Sequence, residues 1–305
     1  MRSVAGRTAI AAADNIFSIA IMPDTQREIK YANDTRFNHR ADWLVTNRHG
    51  LSLRFVLQVG DLTDWGEADP THYDRASAGL ARLEAAGISY ALCPGNHDTR
   101  AVKVGGSALD PARTKELVRE TPLWNEYFPP SRFPKLKGTF EVDKTDNCYH
   151  IFQAGGVQWI VIALEFLPRF TAVAWARAVV QNFPKHNVII LTHMFIDGGG
   201  NINNNAEYGE SSPQYMFDNL IKLYSNIRFV FSGHADTWAS VELTGNNGNK
   251  VYAFNDCWHS ETTNPTRIVK FTMDQKKFDT YVYNPYTSTL ASGTSATKTN
   301  VNFVR

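Results

Sequence analysis

The stretch YALCPGNHDT, residues 90–99, decides how the chain reads. Tyr90 to Cys93 has the character of the end of a buried strand, and Pro94-Gly95 breaks it. Asn96, His97 and Asp98 then stand side by side. Three consecutive polar side chains are costly in a core but useful in a cleft at the carboxyl end of a strand.

Upstream, the same rhythm repeats. Ile16 to Met22 is a strand candidate, residues 33–47 look helical, and Arg54 to Val59 is a second strand. Asp69 offers an N-cap with Pro70 at the first helical position, and Gly87 stands where that helix would end. Ile88 to Cys93 is the third strand. This βαβαβ order predicts parallel strands covered by helices, hence an α/β fold. Downstream, residues 99–147 hold Pro111, Pro122, Pro129, Pro130 and Pro134 among Trp124, Tyr127, Phe128 and Phe133. That is too aromatic for a disordered linker and reads as an insertion with one or two helices. Further strands are expected near 148–153, 157–164, 188–191 and 227–231, with a helix near 171–183. Beyond Trp238 the pattern is β-rich, with strands near 238–243, 250–255, 266–273 and 278–284. The polar segment DGGGNINNNAEYGESSP, residues 197–213, predicts a long functional or disordered loop.

Composition narrows the function classes. The 305 residues are 43% hydrophobic and 20% charged, as in an ordinary soluble globular protein. A net charge of +1 supplies no bulk field for nucleic acid or an acidic membrane. No apolar run approaches the ~20 residues that span a bilayer. Cys93, Cys148 and Cys257 are scattered, form no CxxC pair, and read as buried thiols suited to a reducing compartment. The first fifteen residues lack the continuous apolar stretch of a leader, so a cytoplasmic protein is expected, or a secreted one if a leader has been removed. Asn33-Asp34-Thr35 fits a glycosylation triplet, a pattern common by chance.

The strand ends carry the chemistry. The first strand ends in Pro23-Asp24-Thr25-Gln26, the second in Gly60-Asp61 with Asp64 beyond, and the third in Gly95-Asn96-His97-Asp98. The strand near 188 ends in Thr192-His193, and the one near 227 in Gly233-His234-Ala235-Asp236. Parallel strands put their carboxyl ends on one edge, so these groups can converge. Converging carboxylates and imidazoles call for a counter-charge, which divalent metal ions supply. There are too many for one tetrahedral ion, and two ions sharing a carboxylate fit better, the usual device for displacement at phosphorus. Any one piece alone, a Gly-Asp or a lone His193, would more often be a turn or a core histidine; the joint order is what points to a metal site.

In that order the motifs resemble the calcineurin-like metallophosphoesterase superfamily, whose pattern is D-x-H, G-D, G-N-H-[DE], a lone His and G-H-x-H. The resemblance covers roughly residues 16–285, with a departure in the first motif, Asp24-Thr25-Gln26, and in the last, Gly233-His234-Ala235-Asp236. Each departure replaces a histidine. The resemblance implies one domain over 1–305, a four-layer α/β/β/α sandwich of two mixed sheets, with the insertion 99–147 and the loop 194–213 over the site. It implies two divalent metal ions, Mn, Mg, Zn or Fe. Asp61 would bridge them, Asp24, Gln26 and Asp236 would complete the first, and Asn96, His193 and His234 the second. The first set would then be oxygen-rich, suiting Mn²⁺ or Mg²⁺, and the second would hold two imidazoles. His97 would be an acid or a donor to the phosphate, and Asp98 would orient or charge-support it.

The implied activity is hydrolysis of phosphoric esters by a metal-bridging hydroxide, with His97 as acid. Purple acid phosphatases carry a Tyr where Asp64 stands, and phosphoprotein phosphatases carry Asp-Arg-Gly where Asp64-Trp65-Gly66 stands. The missing Arg clamp leans the reading to a phosphodiesterase or a broad phosphatase acting on a small or nucleotide-like ester. Asp64 either supports a ligand or its histidine, or is a solvated loop acid. Arg100, Lys103, Arg132, Trp65, Trp124 and Tyr208 could face substrate, although each reads more simply as a surface charge or a packed aromatic. The competing class is a non-enzymatic scaffold or binding module with a degenerate metal site, for which the two altered motifs speak.

Overall fold

The computed structural model describes residues 15–235 and 237–305. Its strands run, in chain order, β1 (Ile16–Met22), β2 (Leu53–Gln58), β3 (Tyr90–Leu92), β4 (Leu136–Thr139), β5 (Cys148–Ala154), β6 (Val157–Leu164) and β7 (His186–Thr192). They continue with β8 (Ile227–Ser232), β9 (Trp238–Thr244), β10 (Lys250–Asp256), β11 (Thr266–Thr272), β12 (Lys277–Asn284), β13 (Thr289–Leu290) and β14 (Ala296–Lys298). The helices are α1 (Gln26–Ile29), α2 (Arg36–Asn47), α3 (Thr71–Ala85), α4 (Thr114–Leu117), α5 (Pro122–Tyr127), α6 (Phe170–Asn182) and α7 (Pro213–Asn219).

Two seven-stranded mixed sheets stack face to face, ordered β13-β12-β11-β1-β2-β3, with β14 on β12, and β4-β5-β6-β7-β8-β10-β9. β1, β2 and β3 are parallel. So are β6, β7, β8 and β10. The inner faces close on aromatic side chains, with Phe17, Phe55, Phe152, Trp159, Phe229, Phe231, Phe271 and Phe278 all buried. Phe17 stacks on Phe271 at 4.6 Å and Phe55 on Phe152 at 4.7 Å. Aromatic pairs in such geometry contribute beyond their buried area. The outer face of the first sheet packs on α2, α3 and α5, and that of the second on α6 and α7. The result is the expected four-layer α/β/β/α sandwich.

Most expected elements fall where periodicity put them, and two regions differ. The insertion carries α4 and α5 but also the strand β4, which adds an edge to the second sheet. Its Trp124 is fully buried against Tyr73 and Phe128 rather than facing a substrate. The chain also keeps packing past residue 285: Val301 joins the inter-sheet core, and the Val304 N–H donates to Asn187 Oδ1 at 2.8 Å. Among the described residues no helix is long and apolar enough to cross a membrane. All three cysteines are buried.

Candidate metal centre

The carboxyl ends of the parallel strands of both sheets open on one site. β1 delivers Asp24 and Gln26, β2 delivers Asp61, and β3 delivers Asn96 and His97. From the opposite sheet β7 delivers His193 and β8 delivers His234. The glycines of the motifs have a steric reason. A Cβ on Gly60, whose φ is +97°, would lie 2.5 Å from His193 Nδ1. A Cβ on Gly95 would overlap Asp61 Oδ1, and one on Gly233 would overlap Asp24 Oδ1. Each glycine therefore lets a polar side chain from another strand pass against bare backbone. Asp61 and His234 themselves hold left-handed backbone, φ 48° and 70°. Non-glycine residues rarely do so, and such outliers cluster at functional sites.

Asp61 is the hub. Its Oδ1 accepts the His97 backbone N–H at 2.9 Å, and its Oδ2 lies 3.2 Å from His193 Nε2. Burial works to raise its carboxyl pKa, but the imidazoles of His193, His97 and His234 hold it far below the ordinary range. His193 is fully buried, and its Nδ1 lies 2.8 Å from the Val59 carbonyl, which can only accept. The Nδ1 proton is thus committed, and a neutral ring turns a lone pair on Nε2 toward a carboxylate oxygen. Two acceptors facing each other need a positive charge, either a second proton or a cation. Burial works against the proton, yet the Asp61 and Asp24 charges push the ring up to about 9. Beside it, His234 Nδ1 lies 3.1 Å from Asn96 Oδ1. One donor atom from each of Asp61, His193 and His234 lies within 4.8 Å of the others, a set that fits a divalent cation.

On the other side of Asp61, Asp24 is buried. Its Oδ2 accepts the His234 backbone N–H at 3.1 Å, while its Oδ1 has no hydrogen-bond partner. Gln26 is buried as well, with Oε1 likewise unpartnered. A buried carboxylate oxygen and amide oxygen left without donors fit a cation position. Asp236, expected on this side, lies outside the described residues. Two residues that the motif reading passed over stand here, Cys257 and His259, grouped with Asp24 within 4.8 Å. Their signal was present in the sequence. The strand at 250–255 also ends in ligand-type residues, Asp256-Cys257-Trp258-His259, but matches no family motif.

The expected pairing of His97 with Asp98 is corrected. Asp98 is fully buried, and its carboxylate accepts from the backbone N–H groups of Leu62, Thr63 and Gly95 and from the Thr63 hydroxyl, at 2.9–3.0 Å. It ties the loop after β2 to the loop after β3 and does not reach the ring. The partner of His97 is Asp64, whose carbonyl accepts from Nδ1 at 2.6 Å and whose Oδ1 lies 3.3 Å away. Asp64 is itself held by Lys30 Nζ at 3.2 Å. Of the two roles open to Asp64 in the sequence, the structure displays the histidine support. Burial works to lower the His97 pKa, but the Asp61 charge and the bonds to Asp64 outweigh it and push the ring up to about 9. A cation on Asp61 would spend that charge and bring the ring back toward its ordinary range.

The rim comes from two loops. Phe166, after β6, lies 4.9 Å from the His234 ring and 5.7 Å from His193, and Tyr208 from the 197–213 loop covers it at 5.2 Å. The same loop brings Glu207 Oε2 to 3.4 Å from His234 Nε2. A carboxylate on the outer nitrogen of an imidazole fixes its tautomer and turns the other nitrogen inward. Two arginines weighed as phosphate contacts are engaged elsewhere, Arg100 with Glu120 at 3.0 Å and Arg132 with Glu84 at 2.6 Å.

Comparison with known proteins agrees with this geometry. Residues 17–235 match the calcineurin-like phosphoesterase family. A curated relative, the uncharacterized protein YvnB of Bacillus subtilis (strain 168), is 24% identical over 230 residues. That match covers 74% of this chain but only 16% of YvnB, so the chain spans about a sixth of the relative's length. Among solved structures, a dimetal phosphatase from Danio rerio superposes with a TM-score of 0.55 at 13% identity, covering 93% of this chain and 98% of that one. GAP50, the anchor in the inner membrane complex of Plasmodium, superposes with a TM-score of 0.51 at 12% identity, covering 94% of this chain and 89% of that one. At such identities these two likenesses speak for the fold, and the family match speaks for descent: the chain belongs to the calcineurin-like phosphoesterase family.

Proposed function

We propose that the protein hydrolyses phosphoric esters with the help of two divalent metal ions. Asp61 would be the shared carboxylate, Asp24 and Gln26 would serve the first ion, and Asn96, His193 and His234 the second. The carrying observation is the convergence of donor atoms from Asp61, His193 and His234 within 4.8 Å of one another, a set that fits a divalent cation. Bound there, two cations would supply a nucleophile from water at neutral pH and offset charge on the phosphoryl oxygens. The chain's own residues supply the rest. His97 keeps Nδ1 on Asp64, which leaves Nε2 to donate toward the leaving oxygen. Asp98 is a positioning residue that holds the Asp61 and Asn96 loops in register. Phe166 and Tyr208 build an apolar wall beside the imidazoles, which excludes water and strengthens the charge interactions.

The substrate side favours a diester or a broadly accepted ester over a dianionic monoester, because the arginines considered as clamps are bound to glutamates. The fold by itself leaves room for a scaffold, since one solved neighbour is a phosphatase and the other an anchor. The converging donor atoms favour the hydrolase. The test is turnover of bis-p-nitrophenyl phosphate and p-nitrophenyl phosphate across added Mn²⁺, Zn²⁺ and Mg²⁺, with metal content measured in parallel. Bound metal with faster diester turnover supports the reading. Absence of turnover with every metal returns the protein to the scaffold class.

A further inference from the structure

We infer that His259 is the nitrogen ligand of the first metal position, so that this ion sits in a mixed nitrogen–oxygen site. The inference rests on the di-metal reading above and adds a residue from outside the family motifs.

The topology carries His259 there. β10 runs parallel to β8, so both strands open at the same edge, and the loop leaving β10 arrives beside the loop leaving β8. Three donor groups then close around one point. His259 Nε2 lies 2.7 Å from the Gln26 amide end and 3.4 Å from Asp24 Oδ2. Neighbouring ligands ~2.1 Å from an octahedral ion are ~3.0 Å apart, so these spacings are those of atoms sharing a cation. Rotating Gln26 about its last side-chain bond exchanges Nε2 for the oxygen. Its Oε1 and Asp24 Oδ1 are the two buried atoms here with no hydrogen-bond partner. A cation at this point satisfies both atoms, whereas the pairing of His259 with Asp24 Oδ2 satisfies neither.

The backbone agrees. His259 has φ 39°, joining Asp61 and His234 in left-handed conformation. Such strain at a non-glycine residue persists where surrounding structure over-determines it. Cys257 Sγ lies 3.6 Å from His259 Nε2 and packs against the ring. An imidazole moves the preference of the site away from Mg²⁺, toward Mn²⁺, Fe²⁺, Co²⁺ or Zn²⁺.

The test is metal binding, independent of turnover. The full chain and its variants are stripped with chelator and titrated with Mn²⁺ and Zn²⁺, and bound metal is counted by elemental analysis. Far-UV circular dichroism checks folding. The parent is expected to bind two equivalents. His259→Ala is expected to lose one, or to bind it at least tenfold more weakly, with the other unchanged. In the His259→Ala background, Gln26→His returns an imidazole to the same point and is expected to restore the lost equivalent. A folded His259→Ala protein that binds two equivalents with parental affinity overturns this inference alone. A parent that binds no metal overturns the di-metal reading and this inference together.

Discussion

Replacing Gly60 with alanine separates what the site asks of this glycine into two costs. The first is backbone: φ is +97°, in the left-handed region, where a Cβ adds ~1–2 kcal/mol. The second is collision. The new methyl would stand 2.5, 2.7 and 2.8 Å from three atoms of the His193 side chain, where ordinary contact begins at 3.4 Å. The ring must therefore retreat by about 0.9 Å, and overpacking of a tight interior adds ~1–3 kcal/mol. Together these amount to ~2–5 kcal/mol, or a fall in thermal midpoint of roughly 3–8 °C for a chain of this size. His193 cannot retreat without leaving Asp61 Oδ2 at 3.2 Å or the Val59 carbonyl at 2.8 Å. Misplacement by about 1 Å costs on the order of a hundredfold in turnover. Gly87→Ala is the internal control: its φ is +70°, and nothing lies within 4 Å of the added Cβ, so it carries the backbone cost alone. Thermal melting and metal counting on both variants decide the matter. A Gly60→Ala protein as stable as Gly87→Ala, with two metals bound, refutes the argument that Gly60 exists to admit His193.

Other outcomes stem from the same geometry. His97→Ala should lower turnover by roughly 10²–10⁴ with metal content intact, and loss of a metal equivalent would make His97 a ligand instead. Asp61→Asn should empty or scramble both metal positions, and retention of two metals per chain by elemental analysis removes Asp61 from the bridge. Glu207→Gln should weaken the ion on the His234 side by roughly 10–100-fold in chelator competition, since it removes the carboxylate behind that ring; unchanged affinity assigns Glu207 to the loop alone. Glu67, half-buried with Oε1 accepting the Trp124 N–H, has its carboxyl pushed by desolvation from 4.5 up to about 7. A carboxylate with a raised folded pKa keeps a proton that the unfolded chain has lost, so stability declines as pH rises from about 4.5 through about 7. Thermal melting across that range should show a shallower decline in Glu67→Gln, and parallel curves would refute it.

Strand ends such as Met22 before Asp24 and Thr192 before His193 were legible in the sequence because apolar runs and Gly or Pro breakers are local signals. The order of the motifs then named seven donor candidates, because parallel strands send their carboxyl ends to one edge whatever their exact packing. The edge strand β4 escaped because a four-residue, half-buried segment just after Pro134 carries too little periodicity to register. The exchange of Asp98 for Asp64 beside His97 escaped for a different reason. Adjacent residues on a tight turn point in different directions, so the neighbour in sequence went to backbone amides, and a residue 33 positions away took the ring. Glu207 and His259 lay further still from local reading, with Gln26 and His259 separated by 233 positions. Local propensity and turn chemistry determine where a strand stops and which polar groups come after it. Which of those groups share one cation is decided by strand order, sheet stacking and the backbone twist that turns each side chain, and these exist only once the two sheets have closed on their common core.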